Sequence, residues 1–421
     1  MKNKSLQGRE IGLLHYSCPP VIGGAEFILE AHARWLNRYG ADVRVLVGEG
    51  DEFDEDIPVK TFELLQSDYP EKKKVRRQLL KGENDLFKKL KDKIKEYLKT
   101  SFSEAETWLV HNLYTMSFNL PATAALFELA GETSAQVIPW IHDIAWLDDS
   151  YDTPDKYPWS LLKQPADVDA YVGISGLRER QLDSLFEKDI PIEVIHDGIE
   201  FYEFQELDPA ISAIYRAHKM YRDDVIAVYP ARIVRRKNFE LALEIIHNLK
   251  KIGYSLHFII TGPPDPHNPD SMEYFDRLRQ MRSELDIEDE VIFCYELNNP
   301  ETGDPLKVSY NRVRQFYRLS DILLMTSRQE GFGLPLLEAG LSKTLICCSD
   351  IQPLPEVGGE APVYFDPDEH PSIIAYEIYQ KLETQASVKL QRRVRKKFTW
   401  PAIFETQFIP FLTEKYPPPG G

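Results

Sequence analysis

The chain has 421 residues, more than the roughly 250 to 300 that one hydrophobic core usually supports, so two domains are expected. A hydrophobic fraction of 43% with 28% charged residues is that of a soluble globular protein and argues against long disordered segments. A formal charge of −17 disfavours a general nucleic-acid binder, because phosphate contacts need a dominant basic surface.

The N-terminus, MKNKSLQGRE, is polar, and no run of about 18 apolar residues occurs. Neither a signal peptide nor a membrane span is expected. The cysteines Cys18, Cys294, Cys347 and Cys348 show no metal-ligand spacing and read as reduced thiols in a cytoplasmic protein. The chain then alternates as a parallel α/β domain does. EIGLLHYS is a buried-strand run, PPVIGGA a loop, Glu26 to Tyr39 a helical pattern closed by Gly40, and ADVRVLVG the next strand.

From Glu71 to Thr100 the charge balance reverses, with 12 Lys/Arg against 5 Asp/Glu, a local +7. Leu86, Leu90, Ile94 and Leu98 recur at helical spacing with lysines between them, which describes a basic amphipathic helix. Two readings stand: a solvated helix whose apolar stripe packs on the domain, or a patch that meets an anionic acceptor or a lipid surface. WLVHNL (108–113), AQVIPWIHD (135–143) and DAYVGIS (169–175) read as later strands, and IEVIHDGIEFYEF (192–204) ends the first half.

After a helical stretch around Ser212 to Tyr221 the alternation restarts. DVIAVYPA is a strand, RIVRRKN a basic loop, and Phe239 to Ile252 a helix. YSLHFIITG, EVIFCYE, DILLMTS, TLICCSD and APVYFD follow as strands, with a helix from Asp270 to Leu285. FTWPAIFETQFIPFLTEKY reads as a helix packing back over the body, and PPPGG as a frayed tail. The expectation is an N-terminal Rossmann-like domain over 1–205, a C-terminal one over 206–397, and a returning helix over 398–421, with a ligand cleft between the domains.

In such sheets the loops just beyond the strands carry ligands. In EGFGLPLLE, Pro335 suits the first turn of a helix, while Gly331 and Gly333 let the preceding backbone approach a ligand. That places a helix N-terminus, an anion cradle, between Glu330 in the loop and Glu338 on the helix. The alternative is a tight turn before a core helix with Glu338 solvated. In PARIVRRKNFE, Arg232 lies just past a strand and Lys237 just before a helix, two cations suited to a diphosphate, whereas Arg235 and Arg236 are expected to face solvent. His142 ends the run VIPWI, where His15, His111 and His196 compete for any catalytic role and a structural role is the commoner one. The acidic strings DED (54–56) and DPD (366–368) follow no apolar strand and read as solvated turns, with no metal expected.

Taken together, these motifs resemble the retaining glycosyltransferases of family 4. EGFGLPLLE is similar to that family's E-x7-E motif, YPARIVRRKN to its donor-phosphate loop, PPVIGGAE to its N-terminal glycine loop, and WIHD to the motif with its active-site histidine. VIHDGIEFYEF resembles the interdomain NG(V/I)D segment, with His196 and Asp197 in place of the usual Pro-Asn, and LPEVGGEAPVYFDP the segment after the E-x7-E helix. The segment Glu296 to Gln315 is longer than the family's usual connection.

The resemblance implies a GT-B fold, two facing Rossmann-like domains with an interdomain cleft. It implies a catalytic set of Glu330, His142, Arg232 and Lys237, with Glu330 on the sugar hydroxyls, His142 against the sugar, and Arg232 with Lys237 on the diphosphate. It adds a donor-binding set of Glu338 on the ribose, the backbone of Phe332, Gly333 and Leu334 at the phosphate and sugar, and Gly23 and Gly24 shaping the loop between donor and acceptor. The implied reaction is metal-independent transfer of a hexose, with retention, from a nucleotide-diphosphate sugar to a glycan, lipid-linked or small-molecule acceptor. UDP-hexose comes first and GDP-mannose second; no cofactor beyond this substrate is implied. The competitors are a nicotinamide oxidoreductase, disfavoured because VIGGAE lacks the GxGxxG pattern, an epimerase or hydrolase of GT-B fold, and a non-catalytic sugar-nucleotide-binding subunit.

Overall fold

The computed structural model describes residues 5–300 and 302–418. It contains two compact units, one formed by Met1–Gly198 with Ile403–Gly421, the other by Ile199–Ala402. Among the described residues the first unit holds β1 (Glu10–Ser17), β2 (Asp42–Glu49), β3 (Val59–Thr61), β4 (Thr107–His111), β5 (Gln136–Ile141), β6 (Tyr171–Gly173) and β7 (Ile192–Val194). Its sheet runs in the order β3-β2-β1-β4-β5-β6-β7 with every pair parallel. The second unit holds β8 (Val225–Tyr229), β9 (Leu256–Ile260), β10 (Val291–Phe293), β11 (Ile322–Met325), β12 (Leu345–Ser349) and β13 (Val363–Phe365). Its order is β10-β9-β8-β11-β12-β13, again parallel throughout. Both are Rossmann-like, the α/β class expected from the sequence.

The central strands read as unbroken apolar runs because helices cover both faces of a parallel sheet. β4, β5, β8 and β11 are buried at every position. Several expected strands are shorter than their apolar runs. WLVHNL stops at His111 because Asn112 turns into the left-handed region at φ 60°. In EVIFCYE, strand ends at Phe293 and a 3-10 turn takes Cys294–Glu296. The three-residue β3 was not anticipated, since VKT is too short and polar to signal a strand.

The basic segment forms two helices, Lys72–Leu80 and Asp85–Phe102. Val75, Leu79, Phe87, Leu90, Ile94, Leu98 and Phe102 are buried in the first unit's core. Burying each large side chain contributes ~1.5–3 kcal/mol, so this stripe is a structural face. Lys91 and Lys95 pair with Glu128, whereas Lys73, Lys74, Arg77 and Lys81 are exposed.

The C-terminal segment is helical over Trp400–Ile403 and continues in π-helical turns at Phe404–Phe408 and Phe411–Lys415. Phe404 stacks on Tyr39 and Phe408 on Trp140, with ring centroids 5.5 and 4.9 Å apart. Of the tail expected to fray, Pro418 is buried, and residues 419–421 lie outside the described residues. In the second unit, the helix Ala386–Lys397 delivers a fully buried Arg395 to Asp321 at 2.8 Å and to the carbonyls of Asp223 and Asp224.

Candidate functional site

In the second unit the strand order reverses between β8 and β11, so their following loops diverge and leave room at the carboxyl ends of the strands. Tyr229, the last residue of β8, places its buried hydroxyl 2.5 Å from Ser327 Oγ and 3.2 Å from the Lys237 carbonyl. Thr326 Oγ1 donates to the carbonyls of Lys237 and Asn238. These bonds strap the turn Arg235–Lys237 to the chain leaving β11, and Asn238 at φ 53° redirects the backbone into the helix Phe239–Ile252.

The strap turns Lys237 inward. Its ammonium donates to Glu330 Oε1, and Ser327 Oγ donates to the same oxygen at 2.6 Å. Arg236 lies 3.7 Å from Glu330 Oε2. Lys237 and Glu330 are both nearly buried, at 9% and 7% side-chain exposure. Burial lowers the Lys237 pKa from its ordinary value, and the bond to Glu330 opposes that shift. Arg232 is different: 60% exposed, with Asp265 3.6 Å away. The two expected diphosphate cations are therefore placed unequally, one largely exposed beside Asp265 and one buried against Glu330. Arg235 and Arg236 are exposed, as expected, yet both are engaged, Arg235 over the Tyr274 ring and Arg236 with Gln329 and Glu330.

Glu330 sits in the loop and Glu338 in the helix Leu334–Leu341, as in the first of the two readings the sequence allowed. Gly333 precedes the helix at φ 96°, and a Cβ there would lie 2.7 Å from Leu354 Cδ2, so glycine is needed both for conformation and for space. Phe332 and Leu334 are exposed, and Pro335 occupies the first turn. The Glu338 carboxylate accepts from the Tyr317 hydroxyl at 2.9 Å, and its proximity raises the Tyr310 pKa. Tyr310 opens the helix Tyr310–Leu319 at the end of the long Glu296–Gln315 connection, whose residue 301 lies outside the described residues. DED and DPD are turns: Asp54 and Asp366 accept from the backbone of Asp56 and Asp368.

The first unit has its own polar cluster where its strand order reverses between β1 and β4. Glu26, in the first turn of the helix Gly24–Arg38, accepts from Ser17 Oγ at 2.6 Å and lies 3.7 Å from His15 Nε2. Burial pushes the Glu26 carboxyl up, but bonds to His15, Ser17 and its own backbone N–H outweigh it and hold the pKa down at about 2. Gly23 is extended at φ −168°, and a Cβ there would meet Glu26 Oε2 at 2.1 Å, so a larger residue would displace the Glu26 carboxylate. A Cβ on Gly24 would meet nothing within 4 Å, so packing does not demand glycine there.

His142 is 6% exposed. Its backbone N–H donates to Asn112 Oδ1 at 2.9 Å and its carbonyl accepts from Arg178 Nε at 2.6 Å. Its Nε2 is 3.1 Å from His111 Nδ1, and its Nδ1 is 3.8 Å from Asp197 Oδ2. Burial, reinforced by His15, lowers its pKa to about 3, so it is neutral at physiological pH. His15 donates from Nδ1 to the His111 carbonyl at 3.0 Å, and His196 bonds Gln407. Sequence reasoning singled out His142, named His111 among its competitors and noted Asp197 as a departure, but gave no role to Glu26 beside them or to Tyr229, Ser327, Tyr310 and Tyr317 around the two glutamates. Of the residues given no role, only Glu26 carried a local signal, an acid directly behind the glycine loop. Among the described residues no set of three or more His, Cys, Asp or Glu is arranged to hold a metal ion.

Residues 210–397 match the family model described as Glycosyl transferases group 1. That span contains Arg232, Lys237, Glu330 and Glu338. The chain is 24% identical over 265 residues to mannosylglucosylglycerate synthase of Petrotoga mobilis, covering 57% of this chain and 58% of the relative. It is 33% identical over 100 residues to the O-antigen chain mannosyltransferase RfbU of Salmonella typhimurium, covering 24% of this chain and 25% of the relative. The chain thus spans little more than half of one curated relative and a quarter of the other. Among solved structures, sucrose-phosphate synthase from Thermosynechococcus elongatus aligns with 17% identity and a TM-score of 0.38, covering 94% of this chain and 96% of that one.

Proposed function

We propose that this chain is a retaining, metal-independent hexosyltransferase that uses a nucleotide-diphosphate sugar as donor and an acceptor hydroxyl on a glycan, lipid-linked or small-molecule substrate. The observation that carries this reading is the second unit's arrangement: Glu330 in a loop, a glycine-opened helix N-terminus beside it, Glu338 on that helix, and Lys237 bonded to Glu330. All lie in the segment that matches the glycosyltransferase family model.

The chemistry follows from where the charges sit. Departure of a nucleoside diphosphate concentrates negative charge on the leaving oxygen, and fixed cations and helix N–H groups lower that barrier without reorganising. An ammonium has three N–H donors, so Lys237 can keep Glu330 and still donate to a phosphate oxygen. Arg232, 60% exposed at the same loop, is the second cation available to the diphosphate. Glu338, oriented by Tyr317, accepts from ribose hydroxyls, and Glu330 Oε2 accepts from sugar hydroxyls. The acceptor then attacks the oxocarbenium-like carbon from the face the diphosphate leaves, which retains configuration.

The names of both curated relatives contain a mannosyl group, which favours mannose as the transferred sugar and brings GDP-mannose level with the UDP-hexoses expected from sequence. The exposed basic face of the helices Lys72–Leu80 and Asp85–Phe102 suits an anionic lipid surface, as a lipid-linked acceptor would require. The test is product analysis with UDP-glucose, GDP-mannose and ADP-glucose against an acceptor panel, with and without EDTA. An α-linked product that forms in EDTA supports the reading. Free sugar alone, an epimerised donor, or no turnover of any donor overturns it.

A further inference from the structure

Asp197 stands where the resembled family carries asparagine, and the structure puts it beside His142. Its Oδ2 lies 3.8 Å from His142 Nδ1, and its Oδ1 is a buried oxygen with no hydrogen-bond partner among the described residues. On the other side of the imidazole, His142 Nε2 meets His111 Nδ1 at 3.1 Å, and His111 Nε2 is again buried without a hydrogen-bond partner among the described residues. Asp197, His142 and His111 therefore lie in a row, the two imidazoles within hydrogen-bond reach and Asp197 in charge contact with His142, with one open atom at each end.

Each neutral imidazole carries a single N–H, so the row has two self-consistent proton arrangements. In the first, His111 Nδ1–H donates to His142 Nε2, His142 carries its proton on Nδ1, and that N–H faces an ionised Asp197. In the second, Asp197 holds a proton directed at His142 Nδ1, His142 donates from Nε2 to His111 Nδ1, and the proton of His111 sits on its buried Nε2. The second leaves an unpaired buried N–H where the first leaves only a lone pair, so it forms only when Asp197 is protonated.

We propose that Asp197 is a positioning residue that sets which ring nitrogen of His142 carries the proton, giving this chain a pH-dependent tautomer switch that an asparagine at the same position would lack. The proposal rests on the transferase reading for its functional consequence, but not for its geometry. Burial, with Asp143 adding to it, raises the Asp197 pKa to about 7, which puts the switch in the physiological range. His142 stays neutral through that range, so what changes is the location of its proton and not its charge.

The surrounding charges are accounted for. Asp143, from the same loop as His142, is tied to Arg178 at 3.1 Å and to Asn112 Nδ2 at 3.4 Å, and Arg178 comes from the helix Gly176–Leu185. His15 and Glu26 pair with each other on β1 and the helix Gly24–Arg38. The neutral His32, on that same helix, packs its ring against His111 at 5.3 Å. His196, next in sequence to Asp197, is bonded to Gln407. Of these, Asp143 is the anion that acts on Asp197, which supplies a second handle.

The experiment is nitrogen–proton correlation NMR of the imidazoles in the ligand-free full chain, with His142 assigned by its substitution, from pH 5.5 to 8.5. In the wild type His142 should exchange its Nε2–H signature for Nδ1–H as pH rises through neutrality. Asp197→Asn should abolish the transition, and Asp143→Asn should move it to lower pH while keeping it. A His142 tautomer that is constant across the range in the wild type, or a transition that survives Asp197→Asn, overturns the proposal. If Asp197→Asn does not fold, the shift in Asp143→Asn decides, and no shift there counts against it. In the transfer reaction, kcat/KM should carry an inflection at the same pH that Asp197→Asn removes. An NMR transition in a protein that transfers no sugar leaves the switch standing and removes the transferase reading; transfer without the transition does the reverse.

Discussion

Lys237 and Arg232 occupy the same loop, yet a substitution at each should act through different physics. Lys237 is almost wholly buried against Glu330, and removing one partner of a buried pair leaves the other charge uncompensated, at about 3–5 kcal/mol. Lys237→Ala should therefore lower the thermal midpoint as well as abolish sugar transfer. Arg232 is 60% exposed, so Arg232→Ala should leave the midpoint unchanged while kcat falls by about 10²–10³, the usual cost of losing one donor to a developing anion. Parallel melting and turnover curves for the two variants check this; equal midpoint losses would contradict the placement. Spacing and residue type singled out Glu330, Glu338, Arg232 and Lys237 as candidates. The partners were not, because Tyr229 and Ser327 lie 98 residues apart in sequence and are joined by a hydrogen bond that only the fold creates.

Among the elements, the basic helices show how a local pattern can be right about form and silent about use. Their lysine-rich face and apolar stripe were visible in the sequence, and the stripe proves to be core. An apolar face already buried cannot enter a bilayer, so any membrane contact through this segment must be electrostatic. Binding to vesicles with anionic lipid should therefore occur at low salt and vanish by about 0.5 M, where screening is short-ranged. Replacing Lys73, Lys74, Arg77 and Lys81 together by glutamate should abolish it, at about 1 kcal/mol per lost cation, with helicity unchanged. Sedimentation with neutral and anionic vesicles measures this, and salt-resistant binding would contradict the buried stripe. Strand ends were less legible, because what stops β4 is the left-handed Asn112, a residue whose side chain is needed to cap His142 and Asp143.

For the molecule as a whole, stability should fall as pH drops below neutrality. His32, His111 and His142 are buried and held neutral, with pKa values lowered by burial, so each takes up a proton on unfolding below pH ~6.5. Asp197 works in the opposite sense: its raised pKa means the folded state holds a proton that the unfolded chain loses between about pH 4 and 7, so its contribution declines as pH rises. The three imidazoles outnumber the one carboxyl, and each net proton is worth roughly 1.4 kcal/mol per pH unit. Denaturant midpoints of the first unit should accordingly be lower at pH 5 than at pH 7.5, and Asp197→Asn should raise stability at pH 8 but not at pH 5. A flat profile would mean that the imidazoles are solvated. Glu26 adds a further loss only below about pH 4.5, as its depressed carboxyl is forced to protonate.

By itself, the sequence determined the alternation of strands and helices, the two-sheet α/β class and the positions of the two glutamates around a glycine-opened helix. These follow from backbone periodicity and local conformational limits, which act over a few residues. The tertiary structure decided which side chains share a charge or a proton: Lys237 with Glu330, Tyr317 with Glu338, and His142 with His111 and Asp197. Those pairings depend on burial and on contacts between residues far apart in the chain, and no local pattern encodes the low-dielectric surroundings that give them their strength.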